Sequence, residues 1–307
     1  MILPQLKTFG LISALLLSGT AVLAQDNDQD EHIEPVRKKS KFLTGIYVAS
    51  YFANKATAGI YNGYGFDYYG VRNSFSNSLM YQKIINEYGG GYGLRDQVAD
   101  ALGVDQGAWQ FNESDMPTNM RYTPAVIVGA NFKIPVDQRN FIIVNVNGTK
   151  VNVEGNFTIT KLRPNSPDPT VNSNVTVCGI QGREQRLQFE LGYQHLAGED
   201  DKFNLLLEFG LVGTLAKSDR NVIFINNLQI DLNNYWNQAL YPNAVGMPRR
   251  LLGFGMGGYA GIGANIDVST KFNVQLLYKP SLEKINMGDV RKLKLQNALG
   301  LRVYYKF

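Results

Sequence analysis

Apolar and polar residues alternate strictly at the end of the chain. From Leu293 the odd positions read Leu293, Leu295, Asn297, Leu299, Leu301, Val303, Tyr305 and Phe307. The even positions read Lys294, Gln296, Ala298, Gly300, Arg302, Tyr304 and Lys306. Successive side chains of a strand point to opposite faces, so this pattern predicts a strand with one apolar and one polar face. Lys271 to Pro280 behaves alike, with Phe272, Val274, Leu276 and Tyr278 against Lys271, Asn273, Gln275 and Lys279. In Arg250 to Asp267 the even positions are mainly large and apolar, and the odd ones mainly glycine.

The same count along the chain predicts strands at 42–53, 121–134, 141–159, 186–196, 202–216, 250–267, 271–280 and 292–307. Between them, long connections (54–120, 160–185, 217–249, 281–291) alternate with short ones without exception. That alternation predicts an all-β chain, a closed antiparallel transmembrane β-barrel with short helices in its first long loop. A soluble sandwich or lipocalin-like barrel would bury its apolar face and would not need loops that alternate by length. Membrane barrels also gather aromatic residues at the interface. Phe42, Phe132, Tyr193, Phe203, Phe272, Tyr305 and Phe307 fall at the strand ends that share a side with both termini. Across the shortest turn the pairing expected is Asp267 opposite Lys271 and Ile266 opposite Phe272, polar with polar and apolar with apolar.

Composition agrees with a barrel and excludes other classes. Mean hydropathy is -0.18, which hides a membrane protein only if lipid-facing side chains come at every second position. The net charge is +4 with Lys and Arg dispersed, so no basic face of the kind nucleic acid needs is present. One cysteine, Cys178, allows no internal disulfide. At the N-terminus Lys7, the apolar run Phe9 to Leu17 and Val22-Leu23-Ala24 form an export signal, predicted to be cleaved after residue 24. Residues 25–41 carry an acidic run and then a basic one, the pattern of a disordered linker. The domain plan is therefore signal 1–24, periplasmic linker 25–41 and barrel 42–307.

On these features the chain resembles the small outer-membrane barrel superfamily of OmpA-like and OmpX-like eight-stranded proteins, over residues 42 to 307. Tyr305-Lys306-Phe307 matches that family's C-terminal assembly signal, an alternating strand ending aromatic-x-Phe. The resemblance implies a bacterial outer membrane with periplasmic termini and extracellular long loops. It also implies two partners: the surrounding lipid, and the barrel-assembly machinery through Tyr305 and Phe307.

Candidate chemistry is sparse. Gly253-Phe254-Gly255-Met256-Gly257-Gly258 spells the dinucleotide fingerprint, but it lies inside a strand rather than between a strand and a helix. Those glycines read better as a lumen face kept clear for bulky side chains. Outer-membrane barrel hydrolases mostly use histidine near the outer rim. Here the only histidines are His32 in the linker and His195 in the lipid-facing phase. No catalytic, metal or cofactor site is expected. In the lumen, Glu190 and Glu208 are expected opposite one another, where two close carboxylates need a cation between them. Arg302 is the first candidate and Lys294 the second, making a structural ion-pair plug, since about eight strands leave an interior filled by side chains.

The first loop, 54–120, carries Tyr61, Tyr64, Tyr68, Tyr69 and Trp109 among glycine and asparagine, a mixture that suits recognition surfaces. Ser76 to Tyr88 and Leu94 to Val104 have helical spacing. The expectation is a cap over the barrel mouth that presents these rings to a protein, a glycan or another subunit of an outer-membrane assembly. The alternative is a narrow, loop-gated passage for small solutes or lipid, along the glycine face of the sixth strand.

Overall fold

The computed structural model describes residues 42–67, 70–85, 94–162, 173–198, 202–233 and 251–306. The predicted signal and linker, Tyr68, Tyr69 and Phe307 lie outside the described residues. In chain order the strands are β1 (Leu43–Phe52), β2 (Trp109–Gln110), β3 (Arg121–Tyr122), β4 (Ala125–Pro135), β5 (Asn140–Leu162) and β6 (Ser173–Ala197). They continue as β7 (Phe203–Ile225), β8 (Leu228–Asp231), β9 (Leu252–Asp267), β10 (Phe272–Asn286) and β11 (Leu293–Lys306). Two helices, α1 (Leu79–Ile84) and α2 (Arg95–Leu102), lie between β1 and β2.

Among the described residues eight long strands, β1, β4, β5, β6, β7, β9, β10 and β11, form an antiparallel ring in that order. It closes where β1 pairs with β11, from Leu43 against Lys306 to Phe52 against Asn297. Closure leaves no unpaired edge inside a membrane, where each exposed N–H and C=O would cost several kcal/mol. The faces are inverted relative to a water-soluble barrel. Arg302 is 0% exposed, whereas Leu211 is 67% and Phe209 59% exposed. On β7 the outward positions from Phe203 to Leu215 are all apolar or glycine. At ~3.3 Å per residue and a tilt of ~40° they rise ~30 Å, enough to cross a hydrocarbon core. The chain is a transmembrane β-barrel.

The aromatic ring predicted at the termini side is outward-facing as expected. Phe42 stacks on Phe132 at 6.0 Å, Phe272 meets Tyr305 edge-on at 5.6 Å, and Tyr193 leans on Phe209 at 5.5 Å.

Strand boundaries on that side agree closely with the alternation, but on the opposite side the strands run further. β6 begins at Ser173 and β7 ends at Ile225, inside segments expected to be loops 160–185 and 217–249. β10 likewise continues to Asn286. There the first outward side chains beyond the lipid belt are Lys150, Gln185, Lys217 and Lys284, so the extension leaves the lipid and the continuous apolar outer face stops. A bulge between Arg183 and Glu184 further breaks the period.

Two registers differ from expectation. Asp267 pairs with Asn273 and Ile266 with Val274, a slip of two residues. The Ser269 hydroxyl accepts from the backbone N–H of both Lys271 and Phe272, which closes a longer turn than the spacing suggested. Glu190 faces Val212, and Glu208 faces Gln194. Both slips are even, so every side chain keeps its face.

The extension carries a second apolar core. Val153, Phe157, Ile159, Cys178, Ile180, Ile223 and Ile225 line its inner face and pack against the first loop's Ile60, Tyr61, Leu79, Met80, Ile84, Val98, Leu102, Trp109 and Phe111. Both predicted helices form. The Ser78 hydroxyl accepts from Tyr81 N–H at 3.1 Å to cap α1, and α2 ends at Gly103 with φ 68°, a left-handed position suited to glycine. Lys161 on β5 donates to the Leu102 carbonyl at 2.7 Å, tying the end of α2 to the wall. β2 and β3 pair with β5, and β8 with β7, so the loop is stitched to the extension by backbone as well.

Candidate functional site

Inward positions of the membrane-spanning strands build a polar column. Its centre is Arg302, whose guanidinium donates to both Glu208 oxygens, Nη1 to Oε2 at 2.5 Å and Nη2 to Oε1 at 3.0 Å. Glu208 also accepts from Gln194 at 2.9 Å and from the Tyr259 hydroxyl at 3.0 Å. Four residues further along β6, Glu190 pairs with Lys279 Nζ at 2.5 Å and accepts from Asn145 at 2.8 Å and Asn147 at 3.1 Å. Lys279 and Arg302 flank the ring of Tyr47, at 5.0 and 5.3 Å from its centroid. The two carboxylates thus belong to one network, but each has its own cation rather than sharing one. A buried charge is tolerated only when paired and hydrogen-bonded, and both conditions hold here.

Of the lumen residues expected to cooperate, the structure brings Glu190, Glu208 and Arg302 together and leaves Lys294 out. Lys294 stands opposite Glu283 in the β10–β11 register, on the cap side. Lys279 holds the place by Glu190 instead. Lys279 and Lys294 share the inward phase of adjacent strands, and the stagger of the ladder decides which of them reaches Glu190.

A second cluster seals the seam between lumen and cap, and sequence reasoning missed it. Glu184 takes a hydrogen bond from Arg186 Nε at 2.6 Å and from the Tyr122 hydroxyl at 2.6 Å. Arg186 in turn donates to the Tyr51 hydroxyl at 2.9 Å and to Thr57 at 3.3 Å. Tyr51 belongs to the barrel, Thr57 and Tyr61 to the first loop, and Tyr122 to β3. Burial and the neighbouring Glu184 carboxylate push the Tyr61 and Tyr122 hydroxyls well above their ordinary pKa. The legible signal was Glu184-x-Arg186, two opposite charges on one face of a strand. At the other end of the lumen a layer of Phe141, Ile143, Leu196, Leu206 and Leu277 closes the column. The inward glycines of β9 are covered too. Ile285, Met287 and Leu277 lean over Gly255, Gly253 and Gly261, so that face is filled rather than open.

The loop residues expected as contact surface are placed differently. Tyr61 and Trp109 are 1% and 4% exposed and belong to the cap core; their rings serve packing, not recognition. Tyr64 is partly exposed, with Arg72 lying 4.1 Å over its ring, and burial together with Glu113 raises its pKa. Tyr305 lies in the outward aromatic ring against Phe272.

The chain matches no protein-family model. It matches no curated protein sequence. Among solved structures it is similar to Ail, the attachment invasion locus protein of Yersinia pestis, at 9% identity and a TM-score of 0.34 over 88% of this chain and 100% of that one.

Proposed function

We propose that the protein is an outer-membrane anchor for a folded extracellular cap that binds a protein or glycan partner, without catalysis. The termini then face the periplasm and the β5–β6–β7 extension projects outside. The observation that carries this reading is the lumen. Glu190 and Glu208 each hold their own cation, the glycine face is covered, and Arg302, Tyr47 and Tyr304 are 0% exposed at its centre. A barrel closed in this way holds something in place; it offers no route for solutes. The investment lies above the membrane, where the cap acquires a core of its own.

Removing residues 54–120 would strip the apolar inner face of the extension, so point changes make the better test. Val175 and Val177 are 54% and 67% exposed on the water-standing outer face of β6. With intact protein extracted in mild detergent, the stoichiometric partner recovered with wild type is expected to disappear with Val175→Lys/Val177→Lys and to persist with a change in the lipid belt such as Phe209→Leu. Steady ion conductance of the intact protein in planar bilayers, with no partner retained, would replace this reading by the loop-gated channel.

A further inference from the structure

The outer face of the extension carries a group of cations that the cap and lumen do not use. Directly above the last lipid-facing pair, Leu187 and Leu215, comes a row of Lys150, Gln185 and Lys217 on β5, β6 and β7. The next row is Asn152, Arg183 and Arg220. None of these four cations has a side-chain hydrogen bond or ion pair among the described residues. Arg183 and Arg220 are cross-strand partners, and like charges set directly opposite destabilise a ladder. Of the acids beside them, Glu154 is held by Arg121 at 2.9 Å, and Asp219 has a partner of its own.

The two arginines border a concavity of about 240 Å³ whose other walls are Thr123, Asn152, Glu154 and Gln181. Its floor is Gly182, against which the Tyr61 ring packs from the cap side. The Tyr61 hydroxyl donates to the Arg183 carbonyl at 3.3 Å, so the bulge that aims these side chains is fixed from within. A guanidinium pair with unspent donors matches the oxygen geometry of a phosphate.

Depth identifies the source. At ~3.3 Å per residue and ~40° tilt the lower row stands ~5 Å, and the upper row ~10 Å, beyond the apolar edge. Headgroups occupy roughly the first 5–8 Å there, so the lysine row stands at headgroup depth and the long arginine side chains, rooted just above it, reach down to the same layer. Phe189 and Leu211 continue the apolar face below, 46% and 67% exposed, where an acyl chain would lie. We propose that this patch binds the phosphate of an anionic lipid headgroup in the leaflet on the cap side, with Arg183 and Arg220 as its ligands and Lys150 and Lys217 beneath it. The proposal rests on the membrane reading above.

The test is native mass spectrometry of the full chain in detergent with phosphatidic acid or phosphatidylcholine as the probe. The charge-assisted bonds lead us to expect wild type to retain phosphatidic acid preferentially by about tenfold or more. Arg183→Gln/Arg220→Gln should bring that preference close to unity while keeping the heat-modifiable mobility of a folded barrel, and Lys292→Gln, outside the patch, should keep it. Retained preference in the double variant overturns the assignment. So does displacement of the lipid by inorganic phosphate at equal concentration, which would make the ligand a free anion. Failure of the wild type to insert into phosphatidylcholine vesicles at all would overturn the membrane reading and this site with it.

Discussion

Replacing Arg302 with Met tests whether the lumen is a charge-paired plug. The change keeps most of the apolar stem and removes two hydrogen bonds, at 2.5 and 3.0 Å, from a carboxylate that is 0% exposed. Removing one partner of a buried pair costs ~3–5 kcal/mol, because the other charge is left uncompensated. Glu208 keeps two neutral donors, Gln194 and Tyr259, each offsetting ~1 kcal/mol. The expected loss is therefore at the lower end, ~3 kcal/mol, a large part of an ordinary folding free energy of ~5–15 kcal/mol. Glu208→Gln added to Arg302→Met removes the stranded charge and should return stability to within ~1–2 kcal/mol of wild type. Urea unfolding in phosphatidylcholine vesicles, followed by heat-modifiable electrophoretic mobility, measures Arg302→Met, Glu208→Gln and the double variant against wild type. If the single variant unfolds within ~1 kcal/mol of wild type, or the double variant costs the sum of the two single changes, the pair does not hold the lumen and the plug is wrong.

Other expectations concern the cap. A Cβ at Gly182 would overlap the Tyr61 ring, so Gly182→Val should loosen the first loop by ~1–3 kcal/mol. Limited proteolysis should then cut within 54–120 while barrel mobility on gels stays unchanged; equal resistance of variant and wild type would contradict the packing. Burial pushes the Cys178 thiol from an ordinary value near 9 up to about 11. A group raised in this way favours the folded state fully below about 9, and that contribution is lost as pH rises through about 11. Tyr61 and Tyr122, raised by burial and by Glu184, act in the same sense at higher pH. Maleimide should therefore leave Cys178 unmodified near pH 8 until urea opens the cap, and labelling of the folded protein at the rate of a free thiol would refute this.

The membrane-spanning wall was legible because lipid on one side and a packed lumen on the other impose a strict period of two. Residues such as Leu299 and Arg302 declare their faces by parity alone. Parity does not set depth. The stagger that puts Lys279 and not Lys294 beside Glu190 depends on turn closure by Ser269 and on the β6–β7 register, neither of which alternation encodes. Above the membrane the signal fades for a different reason. Water replaces lipid outside, so the outward residues from Lys150 and Lys217 onward turn polar, while the inward ones face a loop rather than a lumen. In that loop, spacing found both helices through Leu79, Ile84, Val98 and Leu102. It could not tell that Tyr61 and Trp109 are spent inside, because a ring in irregular chain carries no period that marks its face.

The cap joins parts of the chain that are made far apart in time. Thr57 and Tyr61 lie just after β1, yet they lock onto Glu184, Arg186 and Gly182, and the core they enter also needs Ile223 on β7 and Met287 after β10. The first loop is thus synthesised with its apolar face ready and nothing to cover it until nearly the whole wall exists. Pairing across such long separations is slow, because chain entropy must be lost before contacts return it. The cap core is therefore complete only once β5, β6, β7 and the end of β10 stand together. A seated cap is then a record that the strands which complete its core have come together.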